Sequence, residues 1–415
     1  MKVAVVGAGT RGDIQPVAAL AQALARAGHE VRFLAHESWR YLAAGRTPIE
    51  FVPRGGPAPQ AVSETTTRSR PRTLVGKMLR LRAPSHSYHD KDEVLEACRG
   101  SDFILFAEAY WPAAHIAEHL GLPCAAACVI PFFRTGEYPR AGGPAFLQRH
   151  SLGRSWNRFT HWAFERALTS RDLTWLNPWR ERLGLEAIRN PAEWAERRRI
   201  PRLYGHSELF LPRPRDWPAW HQVTGFWYWD DEAWRPPEAL ARFLESPLPA
   251  VFVGFASSIL EDRDLLERRI LPAIRRVGCR AVVGTGWSAP SVREAADVLV
   301  VESCPFGWLF PRVSVVLHAS GASTVAEILR AGKPSVCLPM FGDQRFFAAR
   351  LERLALAPRQ LALYDLTPDA LAHALRRALT PDMRRAAAAM GTRIAAEDGP
   401  ARALEVLEGV GLVRR

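Results

Sequence analysis

The segment Lys2–Pro16, which reads KVAVVGAGTRGDIQP, decides the fold of the first half of the chain. Val3–Val6 is a short apolar run, followed by a glycine-rich turn and an amphipathic stretch that ends at Gly28, a natural helix C-terminus. The next apolar run is Glu30–Leu34. A strand, a helix and a second strand in this order are typical of a parallel sheet. The segment therefore predicts an α/β domain at the start of the chain.

The glycine-rich turn has two alternative interpretations. Gly7, Gly9 and Gly12 match the G-x-G-x-x-G pattern after a strand, and Glu37 stands where a ribose-binding acid would lie. That pattern alone favours an oxidoreductase with a nicotinamide or flavin dinucleotide. Asp13 opposes this interpretation, because a carboxylate at the helix N-terminus would repel a pyrophosphate. Asp13 is then either a structural helix cap or a general base that takes a proton from a substrate hydroxyl.

A second series of apolar runs begins near Ala250 and repeats the alternation of strands and helices. The predicted strands are Val251–Gly254, Ala281–Val283, Val298–Val300, Ser314–His318 and Ser335–Pro339. Between the two series, residues 212–249 are rich in Pro, Trp and Asp, which is typical of a linker. We predict a first domain over residues 1–230, a linker over 231–248, a second domain over 249–395 and a final helix over 396–415.

The loop Ala319–Thr324 is a candidate phosphate cradle. It follows a predicted strand, precedes a helix and consists of small residues, which leave backbone N–H groups accessible. The helix dipole adds partial positive charge at the same place. The alternative is that Thr324 and Glu327 form a capping box and serve only the helix.

Asp343 and Gln344 follow the last predicted strand. The carboxyl edge of a parallel sheet is where ligands of α/β proteins bind. These two side chains are therefore candidates to hydrogen-bond sugar hydroxyls, and the alternative is an ordinary polar turn.

Composition limits the class of protein and its partners. Apolar residues make up 48% of the 415 residues, which excludes a disordered chain. The 55 Lys and Arg against 43 Asp and Glu give a net charge of +12, which favours anionic ligands or surfaces or reflects an Arg-rich composition. No stacked-aromatic or basic-helix motif supports nucleic-acid binding.

The cysteine pattern predicts free thiols. The six cysteines form no CxxC pair and no Cys/His cluster with zinc spacing, so we expect no metal site and a cytoplasmic location. No apolar stretch approaches the roughly 20 residues that span a bilayer, and the N-terminus does not read as a signal peptide.

Aromatic and basic residues alternate at helical spacing over residues 154–166. They are Trp156, Phe159 and Trp162, interleaved with Arg154, Arg158 and Arg166. We expect a helix whose aromatic face packs on the core. The alternative is an amphipathic surface that makes peripheral contact with a membrane or a lipid acceptor.

These motifs together resemble the GT-B fold glycosyltransferases of family 1 type, in the group that includes sterol, glycopeptide-antibiotic and macrolide-antibiotic glycosyltransferases. Gly9–Pro16 resembles the N-terminal signature of the group, and the resemblance covers nearly the whole chain with the motif order kept. The other matching segments are Tyr204–Ser207, Pro212–Trp217, Thr224–Trp227, Val253–Ser257, Gly284–Trp287, Trp308–Pro311, Ala331–Pro334 and Gly342–Gln344.

The resemblance implies two facing Rossmann-like domains with a cleft between them. The first domain would bind the acceptor, the second the nucleotide sugar, and the last helix would return to the first domain. The implied reaction is the inverting, metal-independent transfer of a hexose from a UDP- or dTDP-linked sugar to a hydroxyl of a hydrophobic small molecule, namely a natural product, sterol or lipid. The nucleotide sugar is a co-substrate, and no cofactor is expected.

The resemblance also implies roles for individual residues. Asp13 matches the general base, with Thr10 and Arg11 on the acceptor side, and Glu327 matches the ribose-binding acid. The positions implied to bind the nucleotide sugar are Ser257, Trp287, His318, Ser320, Gly321, Ser323, Thr324, Glu327, Asp343 and Gln344.

The chain departs from the group at Ala319. The group has a histidine there that donates to the diphosphate, and Phe306 likewise stands where histidine is more usual. We hypothesise that Ser320, Ser323 and the loop N–H groups hold the diphosphate, with His318 close enough to assist. The departure keeps open a second class, a catalytically weakened sugar-nucleotide-binding or accessory protein on the same fold.

Overall fold

Two parallel sheets organise the chain. The computed structural model describes residues 1–44, 47–56, 88–141, 152–231, 233–255, 264–285, 293–340, 342–363 and 365–413. Within these ranges, seven parallel strands form the first sheet in the order β3-β2-β1-β4-β5-β6-β7. They are β1 (Lys2–Val6), β2 (Glu30–Ala35), β3 (Glu50–Pro53), β4 (Phe103–Ala107), β5 (Cys124–Cys128), β6 (Arg202–Tyr204) and β7 (His221–Val223).

The second sheet has the order β10-β9-β8-β11-β12, again with parallel pairing throughout its described strands. Its strands are β8 (Ala250–Gly254), β9 (Arg280–Gly284), β10 (Val298–Val301), β11 (Val315–His318) and β12 (Ser335–Cys337). In both sheets the chain starts in the middle and winds outward in two directions, as Rossmann-like domains do. The prediction of two Rossmann-like α/β domains is confirmed.

Helices connect the strands and cover both faces of the sheets. In the first half they are α1 (Arg11–Arg26), α2 (Lys91–Cys98), α3 (Pro112–Leu120), α4 (Arg154–Arg182) and α5 (Pro191–Arg197), with a 3-10 helix over Glu37–Ala43. In the second half they are α6 (Glu238–Leu244), α7 (Leu271–Arg276), α8 (Phe306–Leu309), α9 (Ala322–Arg330), α10 (Gln344–Arg353), α11 (Pro368–Ala378), α12 (Pro381–Ala395) and α13 (Gly399–Gly409). A π-helical turn, Leu265–Ile270, precedes α7, and a 3-10 turn, Phe310–Arg312, follows α8.

Apolar strands form the cores of both domains. Val3–Val6 of β1 and Phe103–Ala107 of β4 are buried along their whole length, as expected for parallel strands with helices on both faces. Burying each large apolar side chain contributes roughly 1.5–3 kcal/mol. The carboxyl edges of the central strands are therefore firmly held, and the candidate site residues leave the sheets at these edges.

The C-terminal helix α13 lies against the first domain. Ala403 and Leu407 belong to the same apolar cluster as Leu20 of α1. Just before α13, Glu397 accepts a hydrogen bond from Ser207 Oγ at 2.7 Å. These contacts tie the end of the chain to the domain at its start.

Helix α4 presents its aromatic residues to solvent, and the expectation that they pack on the core is wrong. Phe159 is 49% exposed and Trp162 is 50% exposed. The inward side of the helix is polar instead: Asn157 Nδ2 donates to the Gly136 carbonyl at 2.9 Å, and His161 is fully buried. Hydrogen bonding to the loop after β5 thus determines which side of α4 faces inward.

The cysteines are free thiols, all but Cys124 buried. Burial raises the pKa of the Cys98, Cys124 and Cys304 thiols to about 12. Within the described part of the chain, no helix is long and apolar enough to cross a membrane. In the same part, no group of three or more His, Cys, Asp or Glu side chains is placed to hold a metal ion.

Candidate functional site

The first turn of α1 holds Asp13 at the carboxyl edge of the first sheet. Gly9 has a φ of +103°, and a Cβ there would lie 2.5 Å from Asp13 Oδ2, so the turn requires glycine. The backbone N–H and the hydroxyl of Thr10 both donate to Asp13 Oδ2, each at 2.9 Å. Oδ1 accepts no hydrogen bond from the described residues and can therefore accept one from a ligand.

Asp13 has the capping role that its sequence context allowed, and its geometry also fits the general base that the context left open. It is the third residue of α1, and its carboxylate reaches back to the N-cap residue Thr10, as in a capping box. Burial raises the pKa of Asp13 above its ordinary value, and the hydrogen bonds from Thr10 oppose that rise. A carboxylate that is fixed through one oxygen and open at the other, with a raised pKa, has the properties of a general base.

The N-terminus of α9 faces α1 across the cleft between the domains. Ser323 Oγ donates to the carbonyl oxygen of Gly12, and the two helices are in contact. The prediction that the segments Gly9–Pro16 and His318–Glu327 face each other across a cleft is confirmed. Two helix N-termini, each with partial positive charge, therefore converge on one place.

Helix α9 begins earlier than the sequence suggested, and the capping-box interpretation of Thr324 is wrong. The N-cap residue is Gly321, and the first helical residue is Ala322. Thr324 lines the interdomain pocket, and its hydroxyl makes no hydrogen bond within the described residues. Glu327 lies in the middle of the helix, too far along to serve its N-terminus.

A pocket lies between the two helices. Of the predicted site residues, Arg11, Ser323, Thr324 and Glu327 line it. Its other lining residues are Gly12, Gln15, Pro16, Val129, Gly205, His206, Phe226, Trp227, Tyr228, Trp229, Phe306, Ala322, Ala326 and Phe347. The aromatic wall over residues 226–229 was not among the predicted site residues. Thr224–Trp227 had matched a segment before the linker, but nothing in that pattern indicates that it faces the cleft.

Glu327 is buried in the pocket wall and is held by Arg330. Nε and Nη2 of Arg330 donate to Glu327 Oε2 at 3.1 and 2.7 Å. The same guanidinium donates to both carboxylate oxygens of Asp230, each at 2.8 Å. Burial raises the pKa of Glu327 to about 7 although the Arg330 charge opposes the rise. Glu327 Oε1 has no hydrogen bond from the described residues and is open to a ligand hydroxyl.

Arg11 reaches across the cleft. Its Nε donates to Gln15 Oε1 at 3.0 Å, and its Nη1 donates to Ser303 Oγ of the second domain at 3.4 Å. It lines the same pocket as Thr324 and Glu327. Arg11 was predicted on the acceptor side, and it does belong to the first turn of α1. It also lies next to residues that were predicted to bind the nucleotide sugar.

His318 lies beneath the loop and not in the pocket. Its ring is fully buried, and Nδ1 accepts a hydrogen bond from the Ser320 N–H at 3.1 Å. Burial lowers the pKa of His318 to about 3, so the ring is neutral. Ser320 is also fully buried and has a φ of +68°. Ala319, at the position of the missing histidine, packs in the core of the second domain.

Asp343 and Gln344 have different surroundings. Gln344 is buried, and its Oε1 accepts a hydrogen bond from the Met340 N–H at 2.8 Å, which orders the turn before α10. Burial raises the pKa of Asp343 to about 7, and the Asp13 charge adds to the rise. Asp343 of the second domain and Asp13 of the first therefore lie within electrostatic range of each other.

Glu108 is an acidic residue that the sequence reading missed. It directly follows β4, next to β1 in the sheet, and its Oε1 lies 3.7 Å from Arg202 Nη1. Burial raises the pKa of Glu108 to about 7, and Asp13 contributes to the rise. A single acid after an apolar strand carries no motif, so only the strand order places it beside Asp13.

Two predicted site residues, Ser257 and Trp287, lie outside the described residues. Gly321 is described, and space beside its Cα is open, since a Cβ there would meet no atom within 4 Å. A ligand can therefore approach the backbone at the start of α9 closely.

Matches to family models and solved structures agree with this architecture. The N-terminal domain model of glycosyltransferase family 28 matches residues 3–139, and the C-terminal domain model of the same family matches residues 311–400. The chain superposes on a glycosyltransferase of kitacinnamycin with a TM-score of 0.71 at 16% identity, covering 98% of both chains. It superposes on the calicheamicin glycosyltransferase CalG4 with a TM-score of 0.68 at 17% identity, covering 100% of this chain and 99% of the other. Fold and cleft define a two-domain GT-B architecture.

The two domain models together cover more than half of the chain, and the chain belongs to glycosyltransferase family 28. Among its curated relatives is the sterol 3-beta-glucosyltransferase of Cryptococcus neoformans, 29% identical over 98% of this chain and 27% of the relative. The enzyme of the same name from Pichia angusta is 31% identical over 96% of this chain and 33% of the relative. The chain thus spans about a quarter to a third of the length of these relatives. The resemblance to GT-B glycosyltransferases is confirmed.

Proposed function

We propose that the protein transfers a hexose from a nucleoside-diphosphate sugar to a hydroxyl of a hydrophobic small molecule. The observation that carries this proposal is the meeting of α1 and α9 at their N-termini, with Asp13 on one side and Thr324 and Glu327 on the other. The names of the relatives support a sterol or another lipid as acceptor and glucose as the sugar. The glycosyltransferase VinC, whose structure was solved in complex with dTDP, has a similar fold with a TM-score of 0.67 at 17% identity. Both UDP and dTDP are therefore candidates for the donor nucleotide.

In the proposed reaction, Asp13 takes the proton from the acceptor hydroxyl as its oxygen attacks the anomeric carbon. The bond from that carbon to the diphosphate oxygen breaks, and the nucleoside diphosphate leaves from the opposite face, so the configuration inverts. The loop N–H groups and the N-terminus of α9 stabilise the charge that develops on the diphosphate, in a metal-independent way.

The remaining residues bind the donor. Glu327 Oε1 accepts from ribose hydroxyls, and Asp343 and Gln344 face the hexose. The Thr324 hydroxyl and the backbone N–H of Ser323 donate to the diphosphate, since the Ser323 hydroxyl already donates to Gly12. We keep Ser257 and Trp287 as proposed donor contacts. His318 has a supporting role in this proposal, because its Nδ1 accepts the Ser320 N–H from below and thereby fixes the backbone of the loop. Free, protonated thiols support a reducing cytoplasmic location.

A catalytically weakened accessory protein is the second candidate. It is favoured by Ala319, whose buried side chain cannot replace the histidine that donates to the diphosphate in the similar group. It would bind the nucleotide sugar without transferring it.

Product analysis by mass spectrometry separates the two. The full chain is incubated with UDP-glucose or a dTDP-hexose and a panel of sterol and polyketide acceptors, with Asp13→Asn as the matched control. A glycosylated product that needs Asp13 supports the enzyme. Donor binding by calorimetry without product from any acceptor selects the accessory protein, and the absence of donor binding rejects both.

A further inference from the structure

Arg54 connects the end of a strand to the turn that carries Asp13. It directly follows β3, and its Nε donates to the carbonyl oxygen of Gly7 at 3.0 Å. Strand β2 lies between β3 and β1 in the sheet, so the Arg54 side chain reaches across the end of one strand to the turn after β1. The contact therefore ties a residue outside every motif to the glycine-rich turn.

Two further groups hold the Arg54 guanidinium in place. Asp90, whose side chain is 1% exposed, pairs with Nη1, and the centroid of the Tyr110 ring lies 4.7 Å from the guanidinium carbon. The Tyr110 hydroxyl in turn donates to Asp90 Oδ1 at 3.1 Å. An arginine between a buried carboxylate and an aromatic face has little freedom to turn away. The Arg54 side chain is therefore a fixed donor to Gly7.

The backbone at Gly7 determines where the first turn of α1 lies. The Gly7 N–H donates to the Leu34 carbonyl at 2.8 Å, and the Gly7 carbonyl accepts from Arg54, so both polar groups of this residue are bonded. A Cβ at Gly7 would lie 2.8 Å from Ile14 Cδ1, so the Gly7 backbone packs directly against the residue after Asp13. A displacement of the Gly7 backbone is therefore transmitted to the turn that carries Asp13.

We propose that Arg54 is a positioning residue for Asp13. It fixes the Gly7 carbonyl and thereby keeps the Asp13 carboxylate in the place where Thr10 holds Oδ2 and Oδ1 stays open. The benefit to catalysis rests on the proposed function, in which Asp13 is the general base. The geometric effect on the turn does not depend on that function.

Two variants remove the donor to Gly7. Arg54→Gln removes the guanidinium, and Arg54→Gln/Asp90→Asn also neutralises the buried carboxylate, so that no unpaired buried charge opposes folding. The matched control is Arg32→Gln, because Arg32 makes the same two kinds of bond at the opposite edge of the sheet. Its Nε donates to Glu50 Oε2 at 3.0 Å, and its Nη1 donates to the Arg99 carbonyl at 3.4 Å.

Hydrogen–deuterium exchange at single-residue resolution measures the geometry of the turn without any substrate. The Thr10 N–H, which donates to Asp13 Oδ2 at 2.9 Å, reports whether the carboxylate is in place. We expect this N–H to exchange at least about tenfold faster in both Arg54 variants and at the wild-type rate in Arg32→Gln. The N–H groups of β4, at the centre of the same sheet, should keep their wild-type rates in all three variants, because a local effect does not open the core.

A double-mutant cycle measures the effect on catalysis. We expect Arg54→Gln to lower kcat about ten- to hundredfold, since a displacement of about 1 Å can cost that much, and to leave the KM for the nucleotide sugar within about twofold. In the Asp13→Asn background the same substitution should change kcat less than about twofold, because the group that Arg54 positions is already absent. Arg32→Gln should leave kcat unchanged in both backgrounds.

The proposal is overturned if the Thr10 N–H exchanges at the wild-type rate in both Arg54 variants. It is also overturned if the exchange of β4 becomes faster by the same factor, since Arg54 and Asp90 would then serve only the stability of the domain. An equal loss of kcat with and without the Asp13 carboxylate contradicts it as well. A wild type that forms no glycosylated product refutes the proposed function instead, and the exchange rates then decide the positioning role alone.

Discussion

Asp13 is the residue on which the proposed chemistry depends most. Its carboxylate is fixed through Oδ2 by Thr10, so asparagine can keep the same geometry through its side-chain oxygen. We expect Asp13→Asn to lower kcat by about 10²–10⁴-fold, since a general base contributes that much. The affinity for the nucleoside diphosphate should stay within about twofold. Steady-state kinetics and calorimetry check both, and unchanged turnover with the true acceptor would place the base elsewhere.

Asp343 gives a prediction about stability and pH. Its pKa in the folded chain is about 7, raised from 3.8, so between these values the folded state holds a proton that the unfolded state has released. The free energy of unfolding should therefore fall as pH rises through this window. Asp343→Asn removes the cost of the buried charge, and we expect it to be more stable than the wild type by roughly 1–3 kcal/mol at pH 8 and equal to it near pH 4.

Urea denaturation at both pH values measures this difference. Asp382→Asn is the control, because Asp382 is 89% exposed and should change stability little at either pH. An Asp343→Asn protein that is destabilised equally at pH 4 and pH 8 would refute the assignment of a raised pKa.

At the residue scale, the sequence pointed to the correct chemical groups but not to their orientation. A small-residue loop after a strand predicts accessible N–H groups, and Gly321 has such open space. The same pattern cannot tell whether His318 faces the ligand or the core. Tertiary packing decides this, and it buries the ring under the loop.

At the element scale, two threonines near helix N-termini distinguish a binding role from a capping role. Thr324 lies inside the helix, and its hydroxyl makes no hydrogen bond to any described residue. Thr367, in contrast, is a true N-cap whose Oγ1 accepts from the Ala370 N–H at 3.2 Å. We expect Thr324→Ala to weaken binding of the nucleoside diphosphate about three- to tenfold with little loss of stability. Thr367→Ala should lower stability by about 1 kcal/mol and leave binding unchanged. Calorimetry measures binding, and thermal unfolding measures stability, for both variants. A Thr324→Ala protein that is less stable but binds normally would support the capping interpretation of Thr324.

The boundaries and faces of helices are where prediction from sequence failed. Thr324 with Glu327 fits the capping-box pattern, but glycine at 321 also serves as an N-cap, and the pattern does not rank the two. In α4, apolar periodicity identified the correct row of residues and the wrong side. Asn157 and His161 face inward because the loop over residues 136–140 needs hydrogen-bond partners, which hydrophobic periodicity does not detect.

At the scale of the whole molecule, Arg330 joins the end of the first predicted domain to helix α9 of the second. It bridges Asp230 and Glu327, and its guanidinium lies 4.2 Å from the ring centroid of Tyr228. Gly307 permits this arrangement, since a Cβ there would overlap the guanidinium. Residues 228–230 and the α9 side of the pocket wall are therefore held together by one guanidinium group.

Arg330→Gln tests this connection. Without the guanidinium the pKa of Glu327 should rise further above 7, so the carboxylate that we propose accepts from a ribose would be protonated at neutral pH. We expect binding of the nucleoside diphosphate to become weaker at pH 7 and to recover toward pH 9, together with a loss of about 1–3 kcal/mol of stability. Arg385→Gln, in an exposed pair with Asp382, is the control and should change neither. A pH profile that does not move in Arg330→Gln would contradict the role of Arg330 in positioning Glu327.

The two-domain architecture was predictable because each half repeats apolar runs and glycine-ended helices that only a parallel sheet accommodates. The pocket was predictable in part. Its α1 and α9 walls carry motifs, but Tyr228 lies outside every matched segment, and only the folded chain brings it into the pocket wall. Glu108 likewise carries no motif, and the strand order brings it within electrostatic range of Asp13.

Calorimetric titration of the full chain with UDP and with dTDP tests the central claim most directly. We predict one binding site per chain for at least one of these nucleotides, an affinity reduced at least about tenfold in Glu327→Ala, and little change in Asp13→Asn. Binding of neither nucleotide, or equal binding by the wild type and Glu327→Ala, would contradict the claim that the cleft between α1 and α9 holds a nucleotide sugar.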